Sequence, residues 1–203
     1  MVRRPGRGSD DAKRAFERDV RARHPRFREA VVADAVITAR FRGERFEFRS
    51  QLDAALQIIR LMLQADAFLA QVAYRAKARL QALGIPVLPR IAHRIAMVSA
   101  QVSIGDPVIV HPGIYIVHGQ VVADGIMEIH AGAVLFPWIT LGLIGPELTG
   151  PTIGPNAQIG SGARVLGRVR VGADARIGAN AVVLEDVPDG ATAAGVPARV
   201  VGA

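Results

Sequence analysis

A strict six-residue period constrains this chain more than any other feature. Ile153, Ile159, Val165, Val171, Ile177 and Val183 recur at every sixth position, and Gly154, Gly160, Gly172 and Gly178 follow four of them. Four places after each aliphatic stands a small or β-branched residue: Ala157, Ala163, Val169, Ala175, Ala181 and Val187. An earlier set keeps the frame through Val98, Ile104, Val110 and Ile116, with Val102, Val108 and Ile114 at the small position. A one-residue slip follows, and Ile129, Leu135 and Leu141 then resume the period, with Ala133 and Ile139 between. Helices repeat at 3.6 residues and flat strands at 2.0, so neither generates six. The period predicts a β-helix solenoid in which one aliphatic per short strand stacks inward on the coil beneath. The recurring glycines are expected at corners, where positive φ is often required.

Before the repeat the pattern is helical. "DDAKRAFERDVRAR" predicts a charged helix starting near Ser9, and "REAVVADAVITARF" a second. After Ser50, Leu52, Leu56, Ile59, Leu63, Phe68, Leu69, Val72, Ala76 and Leu80 fall largely on one helical face, until Gly84 and Pro86 stop it. Such a stripe belongs to a core or to a partner-helix surface. The division this suggests is a basic arm over 1–28, a helical region over 29–97 and the solenoid over 98–203.

Of the formal charge of +7, the arm alone carries +6, from ten Lys/Arg against four acids. Its only rings are Phe16 and Phe27, so a solvated, partly helical arm is expected and nucleic acid is not expected as a partner. The chain has no cysteine, which excludes disulfides, thiolate zinc sites and a cysteine nucleophile. No run approaches the ~20 apolar residues of a membrane span. "MVRRPGRGSDDAKR" lacks the apolar stretch of a signal peptide, so the expected address is cytoplasmic, with no membrane partner.

The repeat, with the ending "VVLEDVPDGATAAGVPARVV", resembles the hexapeptide acyltransferases. The resemblance implies a left-handed parallel β-helix of triangular section, preceded here by helices. Within that superfamily, 98–203 is most similar to serine acetyltransferase. "VHPGIYIVHGQVVADG" aligns with that family's "aliphatic–Asp–His–Ala–Thr–Gly" stretch and puts His118 on its catalytic histidine. "WITLG" and "IGSGARVLGRVRVGADARIGANAVV" match the segments that wrap the CoA arm. The resemblance therefore implies acetyl-CoA as co-substrate and transfer of an acetyl group to a hydroxyl or amine of a small acceptor. The site would be completed between subunits of a homotrimer, with a dimer of trimers as a further option. Along the pantetheine groove it points to Gly142, Leu143, Ser161 and Ala179, with Arg176 and Arg199 for the phosphates.

Acyl transfer requires a base for the acceptor, donors for the oxyanion, and both substrates held in line. Histidine suits the first task, and a Gly-rich corner is expected to offer bare N–H groups for the second. His118 is the expected general base and His111 its rival. The sequence also departs from the family. The acidic partner of the histidine falls on Ser103, the Asp preceding the histidine falls on Val117, and "ELTG" (147–150) replaces the Arg–His clamp for the serine carboxylate. These departures argue against L-serine as acceptor, but not against acetyl transfer. Tyr115, Phe136 and Trp138 would suit an apolar or sugar-like acceptor, while Trp138 serves equally as a packed subunit contact.

With about eighteen residues to a coil, His111 and His130 are expected to stack one coil apart, near 4.8 Å. Stacked histidines in this fold can bind zinc, as in γ-class carbonic anhydrases, provided a neighbour's His118 supplies the third ligand. That zinc-dependent hydratase is one alternative, and a non-catalytic scaffold is another. For the acyltransferase, no metal is expected. The long loop over 142–152 argues against a pure scaffold, because the family folds a loop over the active site there.

Overall fold

The structure, a computed structural model, describes residues 15–201 apart from residue 17. The start of the first expected helix, near Ser9, lies outside the described residues. Residues 15, 16 and 18–23 are helical and are labelled α1. It is followed by α2 (Phe27–Phe41), α3 (Gln51–Gln64), α4 (Phe68–Ala82) and α5 (Leu88–Ala100). Ser50 caps α3, its side chain accepting from Asp53 N.

Strands begin at Val102 and build three parallel sheets, one per face of a prism. The first contains β1 (Val102–Ile104), β4 (Val121–Ala123), β7 (Ile139–Gly142), β10 (Arg164–Leu166) and β13 (Val182–Val183). The second contains β2 (Val108–Val110), β5 (Ile126–Ile129), β8 (Thr149–Ile153) and β11 (Arg170–Val171). The third contains β3 (Tyr115–Ile116), β6 (Val134–Leu135), β9 (Gln158–Ile159), β12 (Arg176–Ile177) and β14 (Thr192–Gly195). The antiparallel β15 (Ala198–Val201) adds to the third sheet beside β14. Five coils of a parallel β-helix result, as the period predicts.

The aliphatic column is the core. Ile153, Ile159, Val165, Val171, Ile177 and Val183 are buried, and so are the alanines between them. Ile104, Val110, Ile116, Ile129, Leu135 and Leu141 continue the column downward. Val98 does not belong to it: it sits on α5 and is 86% exposed. The helix needs its apolar face elsewhere, so Ala96 and Ala100 turn inward instead.

The repeated glycines correct an expectation. Gly154, Gly160, Gly172 and Gly178 are not among the residues with positive φ. They are needed for contact between coils, since a Cβ on Gly154 would lie 2.7 Å from Gly172 C and one on Gly160 2.6 Å from Ile177 O. Positive φ falls two residues later, on Asn156, Gly162, Asp174 and Asn180. Asn and Asp tolerate that conformation, which is why glycine does not recur at every one of these positions.

The helices cap the lower end of the prism, where β1, β2 and β3 would otherwise present a sheet edge. α4 answers the open carbonyls with side chains. Lys77 Nζ donates to Ile104 O (2.7 Å), Tyr74 Oη to Val108 O (2.9 Å) and Gln71 Nε2 to Ile114 O (3.0 Å). Arg75 donates to Val110 O and to His111 O (2.8 Å for the second). Its guanidinium also forks onto Asp34 of α2 (2.8 and 3.1 Å), and both side chains are almost fully buried. Among the described residues no single helix is long and apolar enough to cross a membrane.

Candidate active site

His118 lies at the edge where the third sheet turns into the first. The register places Ile116 on Leu135 and Val121 on Ile139. Five steps thus separate the first pair of positions in the lower coil, against four in the coil above. The slip in the period is one extra residue in this corner. The backbone absorbs it by taking three successive positive φ values, at His118 (62°), Gly119 (108°) and Gln120 (50°). Such conformations cost free energy and persist only when the surroundings fix them. Here the C-terminus of α5 does so: Gln120 N donates to Ala100 O at 2.8 Å, and a Cβ on Gly119 would meet that oxygen at 2.2 Å. Gly119 N is also engaged, on Val117 O (2.8 Å), so neither it nor Gln120 N is one of the bare N–H groups expected of this corner.

The imidazole reaches a carboxylate that the sequence reading did not select. His118 Nδ1 lies 2.6 Å from Asp66 Oδ2, and both side chains are two-thirds exposed. Asp66 stands in the break between α3 and α4, which the stripe after Ser50 read as one continuous helix. The two helices meet at a 117° bend instead. A signal was present: an acid falls at 66, where the spacing of Leu52, Leu56, Ile59 and Leu63 calls for another apolar residue. With Nδ1–H donated to Asp66, the Nε2 lone pair is free to take a proton. Ser103, which stands at the family's acid position, lies on β1 and lines a different cavity of about 590 Å³ with Lys77, His93 and Asp106.

The same edge collects several of the expected cofactor residues. On the coils above His118, Pro137, Ser161 and Ala179 occupy equivalent positions, with Trp138 one residue on and level with Gly162 and Asn180. Gly162 N donates to Pro137 O (2.9 Å) and Asn180 N to Ser161 O (2.8 Å). Trp138 is exposed, with φ of 68°, unusual for so bulky a residue. Arg176 projects outward from β12 just before this edge. Gly142 and Leu143 lie at the far end of β7, about 10 Å along the strand, and so do not join the column within one chain. Arg199, on β15, pairs with Glu185 at 3.4 Å. Tyr115 does not face an acceptor, because its ring stacks on Phe41 of α2 with centroids 5.1 Å apart.

His111 occupies a different edge, between the second and third sheets. It stacks on His130 with ring centroids 4.5 Å apart and planes 10° from parallel, as the coil length predicts. Glu128, on the outward face of β5, stands beside them. Its Oε2 is 3.1 Å from His111 Nε2, and its other oxygen takes Arg23 of α1. Burial alone would raise the Glu128 carboxyl, but the hydrogen bonds from His111 and Arg23 outweigh it and hold the group below its ordinary value. Burial, followed by the neighbouring His111, lowers His130.

A family model, "Bacterial transferase hexapeptide (six repeats)", matches residues 150–185. A serine acetyltransferase from Synechococcus elongatus is 34% identical over 151 residues, covering 73% of this chain and 62% of the relative. The chain thus spans about six-tenths of that relative's length. Soybean serine acetyltransferase without ligand superimposes with a TM-score of 0.71 at 30% identity, over 86% of this chain and 69% of the other. A serine acetyltransferase in complex with CoA gives 0.68 at 31%, over 84% and 68%. A coiled prism with this repeat is the fold of the hexapeptide-repeat proteins. The chain belongs to the hexapeptide acyltransferase superfamily, and these relatives place it beside the serine acetyltransferases.

Proposed function

We propose that the protein is an acetyl-CoA-dependent acyltransferase in which His118 is the general base and Asp66 its positioning residue. The observation that carries this reading is the 2.6 Å contact between His118 Nδ1 and Asp66, made at the one-residue-longer corner of the coil. Nε2 takes the proton of the acceptor hydroxyl or amine as its oxygen or nitrogen attacks the thioester carbonyl. The tetrahedral adduct collapses by breaking its C–S bond, and the imidazolium returns the proton to the departing CoA sulfur. The edge above His118, with Ser161 and Ala179 on successive coils and Trp138 beside it, is a suitable track for an extended pantetheine chain, and Arg176 a suitable cation for phosphate. The relative that binds CoA supports this assignment by analogy.

The exposure of His118 in one chain supports a homotrimer in which a neighbour covers it and brings its Gly142–Leu143 end toward the column. Apolar residues exposed on α3 (Leu52, Leu56, Leu63) and α5 (Ile91, Ile95, Val98) are the surfaces assigned to subunit contacts. The acceptor is assigned as a small molecule other than L-serine, because Ser103, Val117 and the 147–150 segment replace the family's acid and clamp.

The test is acetyl-CoA consumption against a panel of amino acids, sugars and amines. His118→Ala is expected to lower kcat on the accepted substrate by about 10²–10⁴-fold. Asp66→Asn is expected to lower kcat in the same direction with KM for acetyl-CoA unchanged, and Asp66→Glu to restore part of the loss. Full turnover by His118→Ala would exclude it as the base. A protein that consumes no acetyl-CoA with any acceptor would instead be a scaffold.

A further inference from the structure

We propose that His111, Glu128 and His130 form a binding site for one divalent transition-metal ion of the zinc class, separate from the His118 edge. Their ligand atoms all lie within 4.8 Å of one another. Tetrahedral coordination by two imidazole nitrogens and a carboxylate oxygen needs ligand atoms about 3.3 Å apart. His111 Nε2 and Glu128 Oε2 already stand at 3.1 Å, and His130 Nε2 is 3.9 Å from the same oxygen. The ring planes are 10° from parallel, and a metal lies in the plane of each imidazole that binds it. One imidazole must therefore turn out of the stack to bring the three atoms onto one ion, with the fourth position left to water.

The backbone holds these donors in register. His111 N donates to Ile129 O and His130 N to Ile153 O, each at 2.9 Å, while Glu128 pairs with Ile109. Arg23 occupies Oε1 and leaves Oε2 turned toward the imidazoles; its charge opposes the incoming cation, and the carboxylate offsets it. The solenoid does not need these residues. On the coils above, the histidine column continues as Gly154 and Gly172, and the Glu128 column as Thr152 and Arg170.

A simple clamp between α1 and the coil would account for Arg23, Glu128 and His111. It leaves His130 face to face with another imidazole, its carboxylate neighbour beyond hydrogen-bond distance. A metal ion accounts for all three donors. Unlike the hydratase arrangement considered above, this site takes its third ligand from the same chain and does not involve His118.

The experiment titrates the metal-stripped full chain with Co²⁺, read by its visible absorption, and with Zn²⁺ by calorimetry and thermal melting. The expected result is one ion per chain with Kd near or below about 10 μM, tetrahedral Co²⁺ bands, and a higher Tm with zinc. Glu128→Gln and His130→Gln are expected to weaken binding at least about tenfold, while His118→Ala leaves it unchanged. The metal-free Tm of each variant, compared with that of the parent, shows that the fold is retained. Binding well below one ion per chain, binding undiminished in folded His130→Gln, or binding lost with His118→Ala would each overturn the proposal.

Discussion

The lower two coils and the upper three are built on one plan and put to different uses. Above residue 150, corners open with glycine, a positive-φ Asn, Asp or Gly follows two places on, and the interior is a column of aliphatics and alanines. Below it the same geometry carries exceptions. His111 and His130 stand where the upper coils have glycine, one corner holds an extra residue, and the open edge is answered by buried polar side chains from α4. The upper coils need nothing outside their own repeat. The lower coils depend on the helical layer, and in return they present the groups able to do chemistry. Repetition gives stability, and the candidate sites lie where repetition is interrupted.

Breaking the tie between layers should have the largest effect on this contrast. Arg75→Met leaves Asp34 buried without its cation and frees the carbonyls of Val110 and His111. The expected loss is about 3–5 kcal/mol by urea unfolding, partly recovered by adding Asp34→Asn. Hydrogen exchange should rise first in 102–116, which leads to His118, and a loss of protection uniform over all five coils would show that the halves are not distinct. A lesion in the upper column should be smaller and local. Ile159→Val removes one fully buried methyl group and is expected to cost about 0.5–1.5 kcal/mol, with turnover unchanged.

Acid should produce the gentlest effect. Burial, then the cations Arg75 and Lys77, lower His24, and burial lowers His93, both at the seam between helices and first coil. A histidine lowered in the folded state takes protons more readily when unfolded, so its contribution is present above the unfolded value near 6.5 and is lost as pH falls. Tm should therefore decline from pH 7 toward 5. No histidine follows His130, so exchange protection over 153–183 should hold in that range while the seam loosens.

Much of the fold was legible because each coil repeats the same local demand. The aliphatic column, the stacking of His111 on His130 and the corner position of His118 all follow from counting in sixes. The recurring glycines were visible but misread, because close approach of coils and positive φ both select glycine and only coordinates separate them. The helical stripe was misread only in its continuity, because its spacing runs on across the break at Asp66. Leu52 and Leu63 keep that spacing at 71% and 82% exposure, as a partner-helix surface does, while α2 and α4 bury the polar Asp34, Gln71, Arg75 and Lys77 beside their apolar residues.

The sequence by itself determined the solenoid, its core and the edge on which His118 stands, since a period is a property of neighbours along the chain. Only the tertiary structure decided which carboxylate meets which histidine. Asp66 reaches His118 across 52 residues because the helices bend between α3 and α4, and the corner has an extra residue to present. Glu128 joins His111 and His130 because parallel strands bring distant residues level. Contacts of this kind depend on where whole elements dock, and no local spacing encodes the angle at which one helix leaves another.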